Sequence, residues 1–183
     1  MTTLETTAIL EQIGRMQRKL AELKASLSER WEQETVPKGE FEIFVCQARE
    51  ERYGLMIDRI EEVLPMCKPA DYPQGPPWFA GLLNLRGEMI PVVDVSGRID
   101  HCRRPISSSD FIVVVRVAGK RYGLVFQKVF QVETISDAAV QPPMQDVPEA
   151  LYVLGIVQTD HSAVFLLSLS SLLGTSELPE ELQ

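Results

Sequence analysis

The chain has 183 residues, of which 45% are hydrophobic and 24% charged, and its formal net charge is −8. A compact chain of this length buries about 70% of its unfolded surface, so a core needs neither disulfides nor a metal. Binding to phosphates needs a positive surface, so the negative charge argues against nucleic acid as a partner. No apolar run reaches about 18 residues, and we therefore expect no insertion into a membrane.

The first 40 residues differ from the rest. Between residues 4 and 34 there is no proline, and six apolar residues are spaced alternately four and three positions apart: Ile9, Ile13, Met16, Leu20, Leu23 and Leu27. This heptad spacing predicts an amphipathic helix that either self-associates, pairs with a partner helix or packs on its own domain. Arg30 at the next seam position weakens the coiled-coil interpretation. Pro37 ends the helix, so residues 1–40 are predicted to form a helix and a hinge.

From Phe41 onward the pattern is that of β-structure. Short runs rich in valine, isoleucine, leucine and phenylalanine are separated by glycine, proline and polar clusters. The runs cover residues 42–48, 53–57, 89–95, 111–117, 122–126 and 163–169. Short strands with frequent turns are typical of small barrels and sandwiches.

The β-rich part also repeats itself. Arg-Tyr-Gly-Leu at 52–55 recurs 69 positions later at 121–124, and the apolar residues that follow stay in register. Gly-Leu-Leu at 81–83 matches Gly-Ile-Val at 155–157, now 74 positions apart. We therefore predict two copies of one five-stranded module, at about 41–99 and 110–173, each closed as a small barrel. The groove between two such barrels is the expected binding site.

The sequence offers no catalytic constellation. It has neither a phosphate-binding glycine loop nor a dinucleotide fingerprint, and its two histidines, His101 and His161, lie far apart. No second pair of ligands lies at zinc spacing from His101 and Cys102. We expect no enzymatic activity, no cofactor and no metal. The three widely spaced cysteines and the absence of a signal peptide at the start of the chain predict reduced thiols in the cytoplasm.

The predicted turn within residues 81–88 contains a charged residue that a turn does not need. In residues 81–88, Asn84 and Gly87 are turn-forming residues, and glycine tolerates the left-handed backbone of such turns. A turn does not require Arg86, which could pair with either Glu61 or Glu62. The second copy has different residues at these places, so a function specific to the first copy is plausible.

These motifs together resemble the CheW-like family, the coupling proteins of bacterial chemotaxis. The matching segments are Tyr53-Gly54, Ile60-Glu61-Glu62-Val63, Pro76-Pro77-Trp78, Gly81 to Gly87, Pro91-Val92-Val93-Asp94, Tyr122-Gly123-Leu124-Val125 and Gly155. The resemblance implies a mainly β fold of two five-stranded SH3-like barrels within residues 41–175. The helix predicted from the heptad spacing would precede this domain, and an acidic tail at 176–183 would follow it. The resemblance also implies a non-catalytic adaptor.

The resemblance implies partners and site residues as well. The partners would be the cytoplasmic hairpin tip of chemoreceptors and the regulatory domain of a CheA-type histidine kinase, in arrays to which a cytoplasmic adaptor is recruited. The family's Glu–Arg pair maps to Glu62 and Arg86. The predicted binding residues are Ile60, Glu62 and Arg86 from the first barrel and Val129 and Val132 from the second. The expected structural residues are Asn84, Gly87, Gly54 and Gly123.

Two features depart from the family pattern. The helix predicted over residues 4–34 is longer than the usual N-terminal tail, and Val95-Ser96-Gly97-Arg98 stands where more helix-favouring residues are expected. The long helix leaves open an alternative function, namely a scaffold of a pilus-motility or other non-flagellar chemosensory pathway that self-associates through this helix.

Overall fold

The computed structural model describes residues 34–73, 75–100, 105–143, 148–159 and 162–174. The helix predicted over residues 4–34 lies outside this part except for Glu34. The predicted tail at 176–183 and both histidines lie outside it as well. The carboxylate of Glu34 accepts hydrogen bonds from the backbone N–H and the hydroxyl of Ser170, at 3.1 and 3.4 Å. The start of the described chain is therefore held against the segment at 169–173.

The described residues form a mainly β structure, as predicted. The strands are β1 (Glu40–Ala48), β2 (Glu51–Met56), β3 (Ile60–Pro65), β4 (Phe79–Leu85), β5 (Glu88–Asp94), β6 (Phe111–Val117), β7 (Lys120–Phe126), β8 (Lys128–Ser136), β9 (Val140–Gln141), β10 (Val153–Gln158) and β11 (Ala163–Leu167). Two short helices, α1 (Val95–Asp100) and α2 (Leu169–Leu173), and 3-10 turns at Ile57–Arg59, Asp137–Ala139 and Pro148–Tyr152 connect them.

The strands form two sheets that exchange strands between the two sequence copies. The first sheet has the order β8-β1-β2-β11-β10-β9, and the second has the order β3-β6-β7-β5-β4. The repeat makes β1 to β5 equivalent to β6, β7, β8, β10 and β11, respectively. In each sheet the first two strands of one copy therefore pair with the last three of the other. Neither sheet is therefore built from one predicted copy, 41–99 or 110–173, alone. The hairpin of each copy's first two strands pairs with strands that are distant in sequence.

Equivalent residues of the two copies occupy equivalent positions in the strand registers. Gly54 of β2 lies opposite Leu166 in the first sheet, and its equivalent Gly123 of β7 lies opposite Val92 in the second. Both of these pairings are parallel, whereas the β1–β2 and β6–β7 hairpins are antiparallel. The two copies thus adopt one strand arrangement twice.

Each sheet has an apolar core of its own, and a third apolar layer joins the two sheets. Ile43 and Val45 belong to the core of the first sheet, as Ile112 and Val114 do to that of the second. The alternate residues point to the opposite side of each sheet, yet they are equally buried: Cys46, Leu55, Val113 and Leu124. β1 of the first sheet contacts β7 of the second. The two sheets therefore pack together on these sides.

A buried arginine joins the segments next to the two sheets. Arg98 of α1 is 2% exposed, and its guanidinium lies 4.4 Å from the ring centre of Trp78 and 5.1 Å from that of Tyr152. Its Nε donates to the carbonyl of Leu172 at 3.1 Å. Trp78 leads into β4 of the second sheet, while Tyr152 and Leu172 flank β10 and β11 of the first. The unusual residues 95–98 therefore form a helix after all, and Arg98 serves the packing.

The glycines at equivalent places in the two copies predict a stability effect. A Cβ at Gly54 would lie 2.9 Å from Cδ1 of Ile43 and 3.0 Å from Cδ2 of Leu166. Overpacking of this kind costs about 1–3 kcal/mol. We expect Gly54→Ala to lower the free energy of unfolding by this amount, as measured by urea denaturation.

The equivalent site supplies a matched control. Ile43→Val removes the Cδ1 atom and should reduce the penalty of Gly54→Ala. A Cβ at Gly123 would instead meet Cγ2 of Ile112 at 2.9 Å, an atom that valine keeps. Ile112→Val should therefore leave the penalty of Gly123→Ala unchanged. Equal penalties for Gly54→Ala with and without Ile43→Val would contradict this account.

The exchanged strands also predict complementation between halves of the chain. A fragment of residues 34–100 lacks the strands that flank the β1–β2 hairpin, and a fragment of residues 105–174 lacks those that flank β6–β7. We expect each fragment alone to be unfolded and an equimolar mixture to give a one-to-one folded complex. Circular dichroism and size-exclusion chromatography measure this. A folded monomer formed by either fragment alone would refute it.

Candidate binding site

The predicted binding residues lie on the equivalent end strands of the two sheets. Ile60 and Glu62 lie on β3, at one end of the second sheet, and Val129 and Val132 lie on β8, at one end of the first. Both strands carry exposed apolar side chains, since Val132 is 46% exposed and its repeat equivalent Val63 is 39% exposed. The strand at one end of each sheet thus carries an exposed valine.

A β-bulge in β3 decides which way its apolar residues point. Ile60 and Val63 are three positions apart, a spacing that places side chains on opposite sides of a regular strand. The register with β6 shifts by one residue between Ile60 and Glu62, so that Ile60 lies opposite Val115 and Val63 opposite Val113. Residues directly opposite each other point to the same side, so the bulge puts Ile60 and Val63 on one side.

The same bulge occurs in β8. Val129 lies opposite Cys46 and Val132 opposite Phe44, although three positions on β8 face only two on β1. Val129 and Val132 therefore share one side of the first sheet. Cys46 and Val113 belong to the sides that pack between the two sheets, so all four apolar residues of β3 and β8 border that inter-sheet layer.

Arg86 is presented by the hairpin between β4 and β5. Arg86 and Gly87 have φ angles of 54° and 90°, the left-handed pair of a type I′ turn, and the side-chain oxygen of Asn84 accepts from the Gly87 N–H at 3.0 Å. Arg86 Nη2 donates to Glu62 Oε2 at 2.9 Å, so of the two acids that the sequence left open, Glu62 is the partner. Because the Arg86 side chain is 74% exposed, this pair is accessible from solvent.

Glu61 belongs to a separate charge network that the sequence did not indicate. It pairs with Arg116 on β6 and lies 4.0 Å from Arg121 on β7, which also pairs with Glu88 on β5. The hydrogen bond from Arg121 holds the pKa of Glu88 below its ordinary value. These residues come from four strands, so no local sequence pattern announces the network. Neighbouring acids on β3 thus have different roles.

The described ranges of the chain contain no cluster of three or more histidine, cysteine or acidic residues that could hold a metal ion. Within the same ranges, no helix is long and apolar enough to cross a membrane. Cys46 and Cys67 carry free thiols, and burial raises the pKa of Cys46 above its ordinary value. The candidate site consists of apolar side chains on the two end strands and of one charged turn.

Comparison with known proteins identifies the family. The model of the CheW-like domain matches residues 42–177, and the chain therefore belongs to the CheW-like family. It is 26% identical to "Chemotaxis protein CheW" of Treponema pallidum over 145 residues, which cover 76% of this chain and 85% of that protein. It is 23% identical to "Probable chemotaxis protein CheW" of Rhizobium etli over 142 residues, covering 76% and 92% of the two chains.

A solved structure supports the same assignment. The crystal structure of the scaffolding protein TtCheW from Thermoanaerobacter tengcongensis superposes with a TM-score of 0.70 at 29% sequence identity. The match covers 83% of this chain and 97% of that one. The fold is thus shared over nearly the whole length of the neighbour.

The Glu62–Arg86 pair, in which the Arg86 side chain is 74% exposed and the Glu62 side chain 21%, predicts a small effect on stability. Exposed ion pairs contribute about 0–1 kcal/mol, because solvent screens the charges and the side chains lose freedom. We expect Arg86→Ala and Glu62→Gln each to change the free energy of unfolding by less than about 1 kcal/mol in urea denaturation. A larger loss in both variants would show that the pair holds the fold together, and Arg86→Ala would then be unsuitable for testing binding.

Proposed function

We propose that this protein is a non-catalytic adaptor that couples chemoreceptors to a CheA-type histidine kinase. The observation that carries the proposal is the pair of bulged end strands, β3 and β8, which present apolar side chains at the border between the sheets. Membership of the CheW-like family and similarity to proteins named for chemotaxis support it. These names favour chemotaxis over the pilus-motility alternative.

The apolar border fits a helical partner. A helix presents apolar side chains as a stripe along one face, and such a stripe binds in a hydrophobic groove. Ile60 and Val63 would line one wall of this groove and Val129 and Val132 the other. We propose that the stripe belongs to the cytoplasmic hairpin tip of a chemoreceptor.

Arg86 adds a polar contact beside the groove. Its backbone adopts a left-handed conformation that is uncommon for a residue with a side chain, and Glu62 holds its guanidinium. Both constraints limit where the charge can lie, which reduces the entropy lost on binding. An exposed arginine that stabilises the fold little is available to recognise a partner. We propose that Arg86 and Glu62 together orient the bound protein.

The remaining features of the proposal concern the assembly. The proposed domain at 41–175 binds both receptor and kinase, and the protein works in the cytoplasm, from which it joins receptor arrays at the membrane. The role of residues 4–34 in self-association stays a prediction, because residues 4–33 lie outside the described part. Analytical ultracentrifugation of the full chain and of a fragment of residues 40–183 tests whether the helix self-associates. If both proteins are monomers, self-association through the helix is refuted.

The groove predicts a selective loss of receptor binding. Val132→Ser removes an apolar contact worth about 1.5 kcal/mol when buried, so we expect roughly tenfold weaker binding of a chemoreceptor cytoplasmic hairpin. Arg86→Ala should weaken co-assembly with receptor and kinase while the protein stays folded. Isothermal titration measures the first effect, and co-sedimentation of kinase with receptor arrays measures the second.

Leu151→Ser is the matched control, because Leu151 is exposed and apolar but lies on a 3-10 turn away from β3 and β8. This variant should bind as the unchanged protein does. Unchanged receptor binding by Val132→Ser, or unchanged co-sedimentation with Arg86→Ala, would count against the proposed site.

A further inference from the structure

We propose that β8 carries a second binding surface, formed by Phe130 and Arg52, on the side of the sheet opposite Val129 and Val132. Phe130 is 41% exposed. The Arg52 guanidinium lies 4.6 Å from its ring centre, within the range of a cation–π contact. We call these two residues the Arg52–Phe130 surface. This inference rests on the proposed adaptor function, which requires contacts with two partners.

The strand registers show that the two surfaces of β8 are on different sides. Arg52 lies opposite Gln47 on β1, which points to the same side as Val45 in the core of the first sheet. Val129 and Val132 lie opposite Cys46 and Phe44, which point the other way. Since Phe130 stacks on Arg52, it shares the side of Val45. The bulge that unites the two valines thus also turns Phe130 away from them.

Comparison of the two copies shows what is missing at this surface. The repeat equivalent of Arg52 is Arg121, which is held by Glu88 and lies 4.0 Å from Glu61. The equivalent of Glu61 is Phe130 itself, and the equivalent of Glu88 is Ser162. Among the described residues, no carboxylate lies within ion-pair distance of Arg52. Arg121 of the second sheet is thus paired with carboxylates, whereas the neighbour that the described residues give Arg52 is the ring of Phe130.

The charge and the aromatic ring of the Arg52–Phe130 surface indicate what kind of partner it would bind. Lys128 lies opposite Gln47 as Arg52 does, so two cations and one aromatic ring lie on the same side of three adjacent strands. Lys128 and Arg52 are the cations at this end of β8 and β2, while Glu133, opposite Ile43, lies on the same side farther along β8. A protein that presents a carboxylate beside an apolar side chain would complement the Arg52–Phe130 surface, with the carboxylate taking the place that Glu61 or Glu88 occupies on Arg121. We assign this surface to the kinase, so that receptor and kinase occupy opposite sides of β8.

Titration of the full chain with two separate probes tests the assignment. The probes are the regulatory domain of a CheA-type kinase and a chemoreceptor cytoplasmic hairpin. We expect Arg52→Glu and Phe130→Ala to weaken binding of the kinase domain by about tenfold or more at low salt and to leave binding of the receptor hairpin unchanged. Val132→Ser should do the reverse. Arg52→Lys should retain part of the affinity, because it keeps the charge but loses the planar stacking.

Lys38→Glu is the matched control for charge, since Lys38 is exposed and precedes the other end of β1. It should leave both affinities unchanged. Kinase binding that is unchanged in Arg52→Glu and Phe130→Ala would overturn the inference, as would an equal loss of receptor binding. Failure of the proposed function is distinguishable, because then Val132→Ser would leave the receptor affinity unchanged whatever the Arg52 and Phe130 variants do.

Discussion

The exchange of strands between two sequence copies is the constraint on which the rest of this structure depends. Each β-hairpin, β1–β2 and β6–β7, pairs on both sides with strands of the other copy. Equivalent glycines, Gly54 and Gly123, lie where a side chain would strike an isoleucine of the neighbouring strand and an apolar residue of the exchanged strand. Each sheet thus contains strands of both copies. The apolar layer between the sheets and the stacking of Arg98 on Trp78 and Tyr152 then join the halves into one body.

The binding site follows from this arrangement. The third strand of each copy becomes an end strand, because its only described neighbour within its sheet is the first strand of the other copy. Each end strand has a β-bulge, and the bulge places two apolar residues that are three positions apart on the same side of the strand. Ile60 and Val63 on β3, and Val129 and Val132 on β8, therefore point toward the layer between the sheets. The bulges thus convert two sheet ends into the walls of one proposed groove. Arg86, held in its turn by backbone geometry and by Glu62, would add a charged contact to the proposed groove.

The two copies differ in charge at one pair of equivalent positions. At one sheet position Glu61, Glu88 and Arg116 surround Arg121, and at the equivalent position Arg52 stacks on Phe130 instead. The first arrangement neutralises its arginine within the protein, while the second leaves a cation and an aromatic ring for a partner. The proposed adaptor would hold two proteins at once, and the two surfaces proposed for them lie on opposite sides of β8. In this view the asymmetry between the copies, rather than their similarity, carries the second contact.

The sequence by itself determined the β-rich class, the internal repeat, the turn at Asn84–Gly87 and the family, because each of these is written in local spacing and residue type. It also narrowed the partner of Arg86 to two adjacent acids. Only the tertiary structure decided that the partner is Glu62, that the sheets mix strands of both copies and that Arg98 is buried between aromatic rings. The network around Arg121 and the two sides of β8 likewise appeared only in three dimensions. The physical reason is that the strands exchanged between the copies pair with residues 31 to 112 positions away, and no local pattern records which partner, or which bulge in the register, results.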